Sequence, residues 1–223
     1  MKTAEIRGDI ISNDLKWIYD WLEWESTCPN DIKKVIEALE DGEELRVTVN
    51  SGGGDVFAGQ EIYTLLRKSK NSVAEIDSLA GSAAGVAAMG AAQVLISPVA
   101  MIMIHNVSMS GRMSGDYHLY EKNANALKEM NAAMAQSYSE KSGKSVNEIL
   151  EIMDRETWLT ANQAVEMGFA DEILGADIQI TNSYSGLRLT EEIKQRVLQE
   201  KAETDENEKL KNELICDLDM YGV

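Results

Sequence analysis

The chain carries two histidines, His105 and His118, so chemistry that needs an imidazole at neutral pH rests on one of them. His105 follows the apolar run Met101-Ile102-Met103-Ile104 and opens a loop. A side chain at a strand end stands on a rigid support and can face a cleft, a common setting for a catalytic group. His118 falls among mainly polar neighbours in the first turn of a long helix-forming stretch. Ser82 is the candidate nucleophile, within Leu79-Ala80-Gly81-Ser82-Ala83-Ala84-Gly85. A strand-to-helix junction of small residues leaves a hydroxyl exposed and lets a substrate come close. The N–H groups that open the following helix lack partners within it and can face an oxyanion. The same residues also suit an ordinary serine N-cap beside a close helix contact.

Ser51-Gly52-Gly53-Gly54 is the third element. Consecutive glycines reach backbone angles that other residues resist and leave N–H groups uncovered. They can supply a second oxyanion donor, or simply form a tight turn. A phosphate loop is disfavoured, because no Lys-Ser or Lys-Thr pair follows and the dinucleotide glycine spacing is absent.

These residues need an alternating framework to hold them. Asn13 is a candidate N-cap for a helix over 14–24, in which Trp17, Trp21 and Trp24 recur at i, i+4, i+7. That spacing predicts a buried helix face, with a docking face for another subunit as the alternative. Ile32, Val35, Ile36 and Leu39 mark a second amphipathic helix, preceded by Pro29 and stopped by Gly42. Strands are predicted at Leu45–Val49, Val73–Ile76, Val94–Ile96 and Met101–Ile104, with helices after the glycine run and over Ser82–Gly90. Asp116 to about Lys141 contains no Gly or Pro and predicts one long helix. Ser145 with Glu148 has the capping-box spacing for another, and Ala161–Met167 is a short one stopped by Gly168. Strands alternating with helices imply an α/β fold with largely parallel strands.

Composition bounds the function. The 223 residues carry a net charge of −17, which argues against duplex DNA or an anionic membrane as partner, since both need clustered Lys and Arg. No stretch is long and apolar enough to span a bilayer. The polar start predicts no secretory signal, and Cys28 and Cys216 are too far apart in sequence and too few for a disulfide framework. A cytoplasmic location is expected. Residues 191–223 hold ten acids against five bases, with Tyr221 the only aromatic. The expected division is a folded domain over 1–184 and a charged helical or disordered tail over 185–223.

Asn50-Ser51-Gly52-Gly53-Gly54, Leu79-Ala80-Gly81-Ser82-Ala83, Met103-Ile104-His105-Asn106 and Trp158-Leu159-Thr160-Ala161 with Ala164-Val165-Glu166-Met167-Gly168 resemble the Clp protease proteolytic subunit family in order and spacing. The resemblance covers about residues 5–175 and is nearest to the Clp-related head maturation proteases of tailed phages and prophages. It implies the Clp/crotonase-type spiral of strand-helix units, with residues 116–141 as a projecting handle helix. It implies a serine endopeptidase with an ATP-independent peptidase core, Ser82 as nucleophile and His105 as base. Gly54 and Ala83 fall on the oxyanion donors. Glu156 falls on the triad acid, where the housekeeping enzymes have Asp; Asp154 is the alternative. Gly52 replaces a proline usual in those enzymes. Gly53, Val107, Ser108 and Met109 would border the substrate groove, where an extended peptide adds as a strand. No metal or organic cofactor is implied. The implied partners are a polypeptide substrate, such as capsid or scaffold protein, further copies of the chain in two stacked seven-membered rings, and an ATP-dependent unfoldase. Three other readings stand beside head maturation: an accessory bacterial Clp peptidase, a crotonase-like acyl-CoA enzyme, and a non-catalytic ring protein.

Overall fold

The computed structural model describes residues 1–109, 111 and 114–175, within a compact unit spanning Met1–Ile178. The boundary expected at 184 and the charged tail lie outside the described residues. Strand β1 (Lys2–Ile10) pairs in parallel with β3 (Leu45–Gly54), which pairs in parallel with β4 (Ser72–Gly81). Along β1, Ala4, Ile6 and Ile10 are buried between polar neighbours, the period-2 pattern of a strand with one face on the core. Charged residues on the other face had hidden it. The short β2 (Ser26–Thr27) extends the sheet beyond β1.

Strand β4 forks. Its first half, Val73–Ile76, pairs with β5 (Gln93–Ile96), and its second half, Leu79–Gly81, pairs with β6 (Met101–Ile104). Both pairings are parallel, so β4 and β6 end side by side and deliver Ser82 and His105 to the same edge. Open parallel sheets commonly bind ligands beyond the carboxyl ends of their strands. Strand β7 (Thr157–Thr160) returns antiparallel to β6, and β8 (Glu172–Ile173) closes onto β5.

The helices cover this sheet for identifiable reasons. Asp55 accepts a hydrogen bond from the Ala58 amide and starts α3 (Val56–Lys68). All seven residues of α4 (Ala83–Met89) are buried, and five of them are Ala or Gly, which lets the helix sit close to the sheet. Asp116 caps α5 (Tyr117–Ser142), which ends at Gly143 in the left-handed conformation. Ser145 and Glu148 form a reciprocal capping box on α6 (Val146–Asp154). Thr160 and Gln163 do the same on α7 (Ala161–Glu166). The core joins Ile6, Val49, Ile62, Ile76, Ile96 and Ile104 across sheet and helices.

Three expectations are corrected. The tryptophans do not form a buried face: Trp17, Trp21 and Trp24 are 68%, 77% and 59% exposed. Helix α1 (Lys16–Trp21) is only six residues long, so Trp24 lies beyond its cap at Leu22 and the heptad-like spacing has no helix to act on. Lys16 faces inward instead, its ammonium donating to the Ser26 carbonyl at 3.0 Å. The second correction concerns α5. Of its apolar positions Met130, Ala133, Met134 and Tyr138, which the sequence pattern would leave partly exposed in a single chain, Met134 and Tyr138 are buried in their own domain, whereas Met130 is half-buried and Ala133 exposed. Its exposed large apolar side chains are Tyr117, Leu119 and Tyr120, all in the first turn. Helix α2 (Pro29–Glu37) also stops short of Gly42, at an Ala38 cap.

Candidate active site

Ser82 occupies the single residue between β4 and α4, with φ 50° and ψ −123°. A non-glycine residue gains nothing locally from such angles, which cost on the order of 1–3 kcal/mol and persist only where the surroundings enforce them. Here they reverse the chain between strand and helix and present the side chain at the apex, as in nucleophile elbows. The Ser82 amide is held by the Met103 carbonyl at 2.9 Å, which continues the β4–β6 ladder by one residue. Two residues beyond Met103, His105 Nε2 lies 2.7 Å from Ser82 Oγ. Both side chains are half-buried, open to a substrate and partly shielded from water.

The glycine run is packed directly against this elbow. Gly53 has φ 104°, and a Cβ on it would stand 2.7 Å from Ser82 Cβ and 2.9 Å from the Ala83 amide nitrogen. The position admits only glycine. Its own amide is turned to Ser51 Oγ at 3.1 Å, and Ser51 in turn donates to the Gly8 carbonyl at 2.6 Å. Ala83 is the first residue of α4, so its N–H has no acceptor within the helix. Gly54 is exposed and lines a cleft of about 610 Å³ together with Val56, Val107, Ser108, Met109 and Leu127. Of the expected groove residues, Val107, Ser108 and Met109 border this cleft, whereas Gly53 is buried and does not.

The two candidate carboxylates are differently placed. Among the described residues, neither Glu156 nor Asp154 bonds the His105 ring. Asp154 Oδ1 accepts from Asn106 Nδ2 at 2.8 Å, so this carboxylate is tied beside His105 rather than to it. Glu156 is exposed, between α6 and β7, with φ 46°. His118 is far from this arrangement in role: it lies on the exposed first turn of α5, its ring 3.9 Å from that of Tyr117.

Residues 25–177 match the Clp protease family. The chain belongs to that family. It is 30% identical over 155 residues to the ATP-dependent Clp protease proteolytic subunit 1 of Chlamydia muridarum, covering 67% of this chain and 81% of the relative. It is 29% identical over 142 residues to the ATP-dependent Clp protease proteolytic subunit of Bacteroides fragilis, covering 62% and 68%. A solved ClpP1 variant from Listeria monocytogenes shares the fold, with TM-score 0.60 and 23% identity over 78% of this chain and 91% of that one. The chain is therefore a serine-type peptidase with the mixed α/β Clp fold.

Within a Clp peptidase, the polar contacts of α5 on the site are the part that sequence reasoning missed. Asn131 Oδ1 accepts from the Val107 amide at 2.7 Å, and Tyr138 Oη donates to the Ser82 carbonyl at 3.3 Å. Residues 131 and 138 are seven apart, two turns on one helix face. The only available signal was that two polar side chains share that face with apolar ones, and a phenol among Met and Ala looks like ordinary packing.

Proposed function

We propose that this protein is a Clp-type endopeptidase acting through Ser82 and His105, fed with substrate by an ATP-dependent unfoldase. The observation that carries the reading is the strained Ser82 elbow with its hydroxyl 2.7 Å from His105 Nε2. Neutral His105 takes the hydroxyl proton as Ser82 Oγ attacks a peptide carbonyl carbon. The amides of Gly54 and Ala83 receive the resulting oxyanion, a donor of this kind typically contributing ~3 kcal/mol. The imidazolium then gives its proton to the leaving amine as the C–N bond breaks. Water, deprotonated by His105, hydrolyses the acyl-enzyme and frees Ser82. Glu156 is the proposed acid, steadying the imidazolium at its second nitrogen after rotation of its exposed side chain; Asp154 is the alternative.

The curated relatives are ATP-dependent Clp protease subunits, which favours an unfoldase-linked peptidase over processing of capsid or scaffold protein in a phage head. A ring of copies, two rings deep, is part of the same proposal and rests on family membership. No helix among the described residues is long and apolar enough to cross a membrane. The test is turnover of fluorogenic peptides by parent and Ser82→Ala, with acyl-CoA thioesters as a parallel substrate. Peptide cleavage lost in the variant supports the reading. Thioester turnover that survives Ser82→Ala, with no peptide cleavage by either protein, overturns it in favour of the crotonase-like alternative.

A further inference from the structure

Tyr138 is buried to 2% exposure in the C-terminal half of α5, with its ring edge-on to Phe169 at 5.7 Å between centroids. Its hydroxyl has one hydrogen-bond partner among the described residues, the carbonyl of Ser82 at 3.3 Å. Burial pushes the phenol's pKa far up, so it remains a donor throughout the working range of the enzyme.

The space for this hydroxyl is made by a specific residue. A Cβ on Gly85 would stand 2.4 Å from Tyr138 Oη but 3.5 Å from the ring carbon that carries it. The backbone of α4 is thus cut away at the phenol oxygen. The carbonyl it meets belongs to the residue with φ 50° and ψ −123°, and the same peptide plane carries the Ala83 N–H. That carbonyl also accepts the first bond of α4, from the Val86 amide at 3.1 Å. The phenol adds a second donor, from a different element, to a residue at positive φ.

We propose that Tyr138 is a positioning residue for the nucleophile. Its hydroxyl fixes the Ser82 peptide plane in the elbow conformation, and Gly85 exists to admit it. This rests on Ser82 being the nucleophile. The prediction concerns the bond-making step and not substrate binding, because Tyr138 is buried and does not line the cleft.

The test is a double-substitution cycle on the full chain with Tyr138→Phe and Gly85→Ala, read by peptide turnover and by the rate of fluorophosphonate labelling. Tyr138→Phe keeps the ring against Phe169 and removes one atom. It is expected to lower kcat and the labelling rate about tenfold, with KM within twofold of the parent and the fraction folded unchanged. Gly85→Ala also brings its Cβ to 3.1 Å from the Ala80 carbonyl oxygen, so some loss is common to both backgrounds. The added loss from the phenol clash is expected only where the hydroxyl is present, making Gly85→Ala milder in the Tyr138→Phe background. Parental kcat and labelling in Tyr138→Phe, or a Gly85→Ala loss equal in both backgrounds, overturns the proposal while leaving the Ser82 reading intact. Labelling of the parent at a residue other than Ser82 overturns both.

Discussion

His105 Nε2 stands 2.7 Å from Ser82 Oγ although 23 residues separate them in the chain. The contact follows from the forked strand β4. Its second half pairs in parallel with β6, so Gly81 lies opposite Met103, and Ser82 and His105 follow one and two residues further on. Parallel pairing fixes the approach of Ser82 and His105 through backbone hydrogen bonds, before either side chain makes a contact of its own.

The first prediction concerns Gly53. An alanine there must place a methyl group under 3.0 Å from Ser82 Cβ, the Gly81 carbonyl oxygen and the Ala83 nitrogen, at φ 104°. Two of these neighbours are backbone and cannot turn aside. Gly53→Ala is expected to cut kcat/KM about a hundredfold by displacing the elbow, and to lower Tm. Steady-state kinetics with thermal unfolding checks this. Gly52→Ala, where nothing lies within 4 Å of the added Cβ, should stay within a few-fold of the parent.

A second prediction separates the two carboxylates. Asp154 is engaged by Asn106, whereas Glu156, the proposed acid, is exposed and holds φ 46° at the turn into β7. Glu156→Gln should lower kcat about a hundredfold, less than in a triad whose acid is already seated. Asp154→Asn should lower it only a few-fold. Kinetics of the two variants side by side decides; equal kinetics for Glu156→Gln and the parent assigns the role to Asp154.

The third concerns acid stability. Glu140, on α5, accepts from Tyr63 Oη on α3 at 2.9 Å and from Gln136 Nε2 at 3.2 Å, and lies 3.5 Å from Arg67. The Tyr63 hydrogen bond first, then that of Gln136, holds its carboxyl below the ordinary 4.5. A depressed folded pKa means stability that is present above the unfolded value and lost as pH falls through the folded one. Tyr63→Phe removes the leading cause, so the parent's Tm advantage should shrink between about pH 6 and about pH 3. A difference in Tm that stays constant across that range would contradict the account.

Much of this architecture was legible from local signals. A strand end before His105, small residues around Ser82 and the absence of Gly or Pro over 116–141 each act within a few residues, and α5 begins one residue from its predicted start. Ser145 and Glu148 are similarly local. The failures are nonlocal. The tryptophan spacing is helical, yet the chain turns at Leu22 and Lys16 takes the inward face. Strand β1 alternates apolar with charged residues and gains its identity from pairing with β3. Tyr138 reads as a packing residue until the fold brings it to the Ser82 carbonyl. The place of the Glu156 carboxylate depends on a left-handed backbone at that residue that its sequence neighbours do not announce.

The most direct measurement of the central claim is the site and rate of covalent modification by a fluorophosphonate, followed by mass spectrometry of the intact chain and its peptides. One adduct is expected, on Ser82, absent in Ser82→Ala and formed at least about a hundredfold more slowly in His105→Ala, while His118→Ala labels like the parent. An adduct that survives Ser82→Ala, or a His105→Ala variant that labels at the parental rate, would contradict it.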